Sequence, residues 1–180
     1  MIPVLESQRL YYRPLSMDHY CLEYVNWMND GDVNQFLESG GSYTIERLEE
    51  YLQSVVKKED ILFWAIHLKE NDEHIGNIKI DPINKRHGWG EYGILIGAKK
   101  HWGKGYAKEA SLTIIDYCFN ELGLRKITLG VVDQNTSAVE LYKKIDFQVE
   151  GVYKKHGIYN GVYSDIIRMA LFNPSFMKSI

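Results

Sequence analysis

From Leu10 onward the chain falls into segments with distinct apolar periods. Leu10-Tyr11-Tyr12-Arg13 reads as a strand stopped by Pro14, which cannot donate to a sheet ladder. Ser16 and Asp18 can cap a helix over roughly 19–29, ended by Asp30-Gly31-Asp32. Thr44 can cap a second helix, in which Ile45, Leu48, Leu52, Val55 and Val56 share one face. Strand-like runs follow at Leu62–Leu68, Ile75–Ile83 and Glu91–Ile96, separated by Lys69-Glu70-Asn71-Asp72 and by Asn84–Gly90. Their short connections predict an antiparallel meander.

Beyond Ile96 the order changes. Ala107, Ala110, Ile114, Ile115, Cys118 and Leu122 recur at helical spacing after a glycine-rich loop. Lys126–Val132 is a β-branched run suited to a buried strand. Ala138, Leu141, Tyr142 and Ile145 mark another helix. Phe147–Ile158 and Val162–Phe172 flank Asn160-Gly161, a dipeptide that favours a two-residue hairpin. The sum is an α/β (α+β) domain over residues 1–180, with a mixed, mostly antiparallel sheet of about seven strands flanked by about four helices. No repeat, low-complexity tract or Pro/Gly/Ser-rich linker divides it.

Composition narrows the partners. Hydrophobic residues are 45% of the 180 and charged residues 25%, enough apolar material for a real core. No apolar run approaches the roughly 18–20 residues of a membrane span. The first residues, Met1-Ile2-Pro3-Val4-Leu5-Glu6, carry neither a basic nor an apolar leader region, so a cytoplasmic protein is expected. Cys21 and Cys118 cannot form a disulfide framework or a four-cysteine zinc site. The 6 histidines show no ligand spacing, so no metal is expected. A net charge of −3 argues against a general nucleic-acid binder. The charge is uneven: residues 1–60 hold 5 Lys/Arg and 11 Asp/Glu, whereas 61–180 hold 16 and 13. An acidic first third suits a cationic ligand and a basic remainder an anionic one, although solvated helix faces would give the same pattern.

The most informative stretch is Lys100-His101-Trp102-Gly103-Lys104-Gly105-Tyr106-Ala107, between a strand and a helix. Glycines there allow positive φ and close approach of a ligand to the backbone. The unpaired N–H groups of a helix start, with the positive end of its dipole, attract an anion. Two phosphate motifs fail on inspection. A dinucleotide fingerprint needs a third glycine, and Lys108 stands in its place; a P-loop needs Gly-Lys followed by Ser or Thr.

The loop resembles the pyrophosphate loop of the GNAT superfamily of acetyl-CoA-dependent N-acetyltransferases, Arg/Gln-x-x-Gly-x-Gly/Ala, here Lys100-x-x-Gly103-x-Gly105. Lysine in the first place is a mild departure, because the loop works through backbone N–H groups. The stretch Ile96–Tyr106 is most similar to the branch of ribosomal-protein N-terminal and polyamine acetyltransferases. Val132–Tyr142 resembles the family's segment after its fifth strand, in which an asparagine bonds the pantetheine arm and a tyrosine lies near the thioester sulfur; Asn135 and Tyr142 match those positions. The family usually has Gly before the next Phe; here Asp146 precedes Phe147, and Asp tolerates left-handed φ.

The resemblance implies a donor site for acetyl-CoA made by Leu95, Ile96, Gly97, Lys100, Gly103, Lys104, Gly105, Tyr106, Ala107 and Asn135. Backbone groups of Leu95-Ile96-Gly97 and Gly130-Val131-Val132 would face pantetheine. Tyr142 is the expected general acid for the CoA thiolate. Glu91, at the start of its strand, is the candidate base for the incoming ammonium. The family's acceptor pocket is built mostly by the first two helices, their loop and the last hairpin. The segment Asn26–Ser39 is rich in aromatics, amides and acids, and Asp32, Phe36 and Glu38 are expected to meet the amine. Three acceptors stay open: a protein N-terminus, a polyamine or other small amine, and an amino-sugar nucleotide. A cofactor-binding sensor without turnover is the alternative. Neither nucleic acid nor membrane is an expected partner, and the hairpin edge could serve a homodimer.

Overall fold

A computed structural model describes residues 2–38, 41–58 and 60–177, the last without its side chain. These residues fall into two compact units, Met1–Asp81 with Gly93–Thr113, and Pro82–Tyr92 with Ile114–Ile180. Among the described residues no helix is long and apolar enough to cross a membrane.

In the first unit β1 (Leu5–Glu6), β2 (Leu10–Pro14), β3 (Leu62–Leu68) and β4 (His74–Asn84) pair antiparallel in sequence order. From Phe63 to Leu68 every residue of β3 is buried, which explains why its sequence is apolar except for His67 rather than alternating. Leu10, Tyr12, Leu48, Leu52, Trp64, Ile66 and Ile78 form the core here, each shielded completely from solvent. Leu48 and Leu52 come from α3 (Ile45–Val56), whose N-cap Thr44 accepts from Arg47 N at 3.2 Å.

The second unit takes up β5 (Trp89–Ile96) at its N-terminal end. β5 pairs in parallel with β6 (Lys126–Val132) through Trp89↔Lys126, Gly90↔Ile127 and Glu91↔Thr128. Among the described residues the register ends at that last pair, although β5 runs on to Ile96 and β6 stays paired with β8 (Val162–Phe172) to Val132↔Ile166. β7 (Gln148–Tyr159) pairs antiparallel with β8 and ends the sheet, whose full order is β1-β2-β3-β4-β5-β6-β8-β7. Asn160 and Gly161 at the hairpin tip both have positive φ, 51° and 76°, as a two-residue turn of this type requires. Asp146 has φ 70°, so aspartate does take the left-handed place usually given to glycine. The long helix α4 (Tyr106–Asn120) follows the glycine loop, and α5 (Thr136–Lys144) follows β6.

Among the described residues eight strands and six α-helices therefore stand where about seven and four were expected. The helix expected over 19–29 is broken. Ser16 caps a 3₁₀ turn at Met17–His19 through a reciprocal pair with His19, and α1 begins only at Leu22 and ends at Asn29. Asp30 does not close the helical region; its carboxylate accepts from Asp32 N and starts the short α2 (Gly31–Asn34). The added β1 and the terminal α6 (Pro174–Met177) make up the remainder.

Candidate active site

In the first unit the loop before α4 has the backbone that an anion cradle needs. Gly103 and Gly105 take φ 74° and 80°. A Cβ at Gly103 would meet nothing within 4 Å, and one at Gly105 would meet only Arg9 Nη2 at 3.7 Å. The backbone is therefore bare on that side, next to the unpaired first-turn N–H groups of α4. Arg9, from the turn between β1 and β2, donates from Nη1 to the Lys104 carbonyl at 3.0 Å and stacks over the Tyr106 ring at 4.4 Å. Ala107 sits half-buried in the first turn of α4.

Other residues expected at this site are engaged by the protein itself. Lys100 pairs with Glu73 at 2.8 Å, so its charge serves the turn before β4 rather than standing free for a ligand. His101 approaches the same carboxylate at 3.2 Å. Lys104 Nζ lies 3.4 Å from His101 Nδ1. Trp102 donates from Nε1 to the Ile96 carbonyl at 2.7 Å, and Gly97 N donates to Ile75 O at 3.0 Å. Those two backbone groups are thus not open to pantetheine, and the Leu95 carbonyl faces Gly76 of β4, where a Cβ would stand 2.2 Å from it. Gly97 is needed for packing: a Cβ there would stand 2.2 Å from Trp27 Cδ2.

Trp27 in turn meets the His74 ring at 4.9 Å. His74 belongs to a cluster with His19 and His67 that lines a cavity of about 590 Å³ together with Arg13, Cys21 and Asp72. Ser16 N donates to His19 Nδ1 at 3.1 Å, His19 Nε2 lies 3.2 Å from His67 Nε2, and His67 Nδ1 lies 2.9 Å from the Asp72 carbonyl. These contacts link the two rings into one hydrogen-bonded chain between Ser16 and Asp72, with the Ser16 carbonyl also 3.2 Å from His19 Nδ1. His74 Nε2 bonds Gly76 O at 2.9 Å and Asn77 Oδ1 at 3.0 Å. Burial, then the neighbouring His19, holds the His74 pKa down to about 3, and burial also lowers that of His19. The cavity contains none of the residues that the sequence marked as a site. Among the described residues no group of three His, Cys, Asp or Glu is arranged to hold a metal ion.

In the second unit Tyr142, on α5, is 7% exposed and packs against Tyr92 and Phe147, each with its ring centroid 5.8 Å away. Burial pushes its phenol up to about 12, so it holds its proton at neutral pH. Asn135 caps α5, its Oδ1 accepting from Ala138 N at 3.3 Å; the cap leaves the amide NH₂ for other work.

Glu91 departs from expectation. Its carboxylate receives both arms of Arg168, each at 2.7 Å, and the Thr128 hydroxyl. The structure therefore shows a carboxylate tethered by an arginine and a hydroxyl at the position of the candidate base, and these donors make it a weaker proton acceptor. Arg168 reaches it by crossing β6 over Gly130, where a Cβ would stand 2.8 Å from Arg168 Nη1. One signal was available: Arg168 stands in β8 between Ile166-Ile167 and Met169-Ala170, and a charge among apolar neighbours needs a partner.

The acceptor segment is also partly self-satisfied. Lys99 Nζ binds Asp30 at 2.7 Å and Asp32 at 2.9 Å. The hydrogen bond from Lys99 holds the Asp30 carboxyl below its ordinary pKa. Phe36 is half-buried and Glu38 exposed. Ser39 lies outside the described residues.

A bare backbone at a helix start is the geometry of an anion-binding loop, here in a mixed α/β fold with a parallel β5–β6 pair. Residues 9–148 match the sequence profile of the Acetyltransferase (GNAT) domain family, and the chain belongs to that family. It is 27% identical over 177 residues to the uncharacterized N-acetyltransferase YoaA of Bacillus subtilis, covering 97% of this chain and 99% of the relative. The Escherichia coli spermidine N(1)-acetyltransferase is 30% identical over 149 residues, 78% of this chain and 80% of its own. The uncharacterized N-acetyltransferase p20 of Bacillus licheniformis matches 34% over 113 residues, 63% of each chain. Among solved structures, the Vibrio cholerae spermidine N-acetyltransferase in complex with CoA and spermine superposes with a TM-score of 0.84 at 27% identity, covering 93% of this chain and 98% of that one. The protein is thus an acyltransferase of the N-acetyltransferase type.

Proposed function

We propose that the protein moves the acetyl group of acetyl-CoA to a primary amine of a polyamine, acting in the cytoplasm with residues 1–180 as one catalytic domain. The observation that carries the donor reading is the open backbone at Gly103 and Gly105, at the start of α4, in a chain of this family. The residues fit the group: Gly103, Gly105, Tyr106 and Ala107 offer N–H groups to a pyrophosphate, and the Asn135 amide offers a donor to the pantetheine arm. Acetyl-CoA supplies the thioester carbon that the amine attacks. The new bond is N–C, the C–S bond breaks, and the sulfur needs a proton.

Tyr142 holds that proton. A phenol held up at about 12 is a weaker acid than a thiol, so full transfer of its proton to the CoA thiolate is uphill. Its contribution is therefore greatest as a hydrogen bond to the charge that develops on sulfur in the transition state. Glu91 is the proposed acceptor of the ammonium's proton, with Arg168 and Thr128 holding its carboxylate; the pH profile of kcat/KM in Glu91→Gln tests that step.

The polyamine reading is supported by the spermidine acetyltransferases among the relatives and by the acidic first third. One observation favours a second acceptor. Lys99 offsets Asp30 and Asp32, which suits an amine with fewer positive charges, such as a protein N-terminus or an amino-sugar nucleotide. CoA release measured over spermidine, spermine, a peptide with a free N-terminus and a UDP-amino sugar separates these. Release with none of them, above donor hydrolysis, overturns the reading.

A further inference from the structure

Glu109 puts a carboxylate in the first turn of α4, one turn from the bare backbone of Gly105. It is held by Ser7 Oγ at 2.7 Å, by the backbone N of Arg9 at 2.7 Å and by Arg9 Nε at 2.7 Å. Burial acts to raise its pKa; these hydrogen bonds outweigh burial and keep it below the ordinary value. The helix start welcomes such a charge for its own stability, but an incoming pyrophosphate is repelled by it. Arg9 answers both needs from one guanidinium. Nε neutralises Glu109, Nη1 ties down the Lys104 carbonyl, and the plane lies on the Tyr106 ring. With the Lys104 oxygen turned toward Arg9, one carbonyl of the loop is kept from facing the anion.

We propose that Arg9 is a positioning residue for the donor's pyrophosphate: through Glu109 and the Lys104 carbonyl it makes the Gly103–Ala107 loop competent to bind a diphosphate. This rests on the acetyl-CoA reading above. It assigns a role to a residue 95 positions away from the loop carbonyl that it holds.

The role is specific to one part of the donor, and the test uses that. kcat/KM is measured for wild type, Arg9→Gln, Glu109→Gln and the double variant with acetyl-CoA and with S-acetylpantetheine, which lacks the pyrophosphate. Melting temperatures are taken alongside. Arg9→Gln should lose about 10- to 100-fold with acetyl-CoA, the range of one charge-assisted hydrogen bond, and little with S-acetylpantetheine. Glu109→Gln added to Arg9→Gln should recover part of the acetyl-CoA loss, because the repulsive charge is gone. Equal losses with both donors, or no recovery in the double variant, would show a purely structural residue and overturn the proposal. A wild-type chain that does not bind acetyl-CoA by calorimetry overturns the donor reading itself, independently of Arg9.

Discussion

Acid should destabilise this protein through buried histidine rings, His74 foremost, beginning above the pH range in which carboxylates titrate. His74 is held neutral, with its pKa down to about 3, because it is buried among His19, His67 and Trp27. An unfolded chain would protonate it near 6.5, so between those values the unfolded state binds a proton that the folded state refuses. The stability is complete above about pH 6.5 and drains as pH falls toward 3. Linkage with these two pKa values gives a loss of about 2 kcal/mol between pH 7 and pH 5, and about 4 kcal/mol by pH 3. His19, also lowered by burial, adds to the loss in the same direction. Urea unfolding at pH 7 and pH 5 reads the difference, on wild type and on His74→Gln, which keeps a donor for the Gly76 carbonyl. The substitution lowers stability at both pH values, but its drop between them should be smaller than that of wild type by about 2 kcal/mol. Drops that agree within about 0.5 kcal/mol would refute the assignment of a strongly perturbed His74.

Four other outcomes are expected. Tyr142→Phe keeps the ring contacts with Tyr92 and Phe147 and should lower kcat by about 10²- to 10⁴-fold at unchanged acetyl-CoA affinity; an unaltered kcat, with chemistry rate-limiting, moves proton donation elsewhere. Gly105→Glu combines a φ of 80° with bulk and negative charge, and calorimetry should show acetyl-CoA binding abolished. Gly97→Ala drives a Cβ to within 2.2 Å of Trp27 and should cost about 1–3 kcal/mol in thermal or urea unfolding; an unchanged melting temperature would mean that Trp27 does not lie there. Glu38→Lys should raise the polyamine KM and leave the acetyl-CoA KM alone, with a weaker effect for Asp32→Lys because Lys99 already offsets that acid; if neither moves any acceptor's KM, the segment is plain surface.

What could be read from the chain is what neighbours in sequence decide. β3, β6 and β8 begin and end where expected, because each is an apolar run bounded by turn residues. The glycine loop, the Asn135 cap and the left-handed Asp146 are also local facts. Other features were hidden for physical reasons. β1 is two residues long, too short to show a period. The break at Tyr20 and Cys21 comes from the reciprocal Ser16–His19 cap, which closes a tight turn before the apolar face of α1 begins. Ion pairs escape periodicity altogether: Arg168 meets Glu91 across 77 positions, and Arg9 meets Glu109 across 100. For that reason Glu91 and Lys100 looked like free chemistry in the sequence and are paired in the fold.

Arg168 can touch Glu91 only by lying across the naked backbone of Gly130. Three distant codons are therefore inherited as one trait. A side chain at Gly130 would push the guanidinium aside and cost Glu91 part of its two-armed pairing, so a change at Gly130 is easier to accommodate once the arginine is gone. In a deep mutational scan, substitutions of Gly130 should be tolerated chiefly on backgrounds in which Arg168 has already been exchanged for a smaller, uncharged residue.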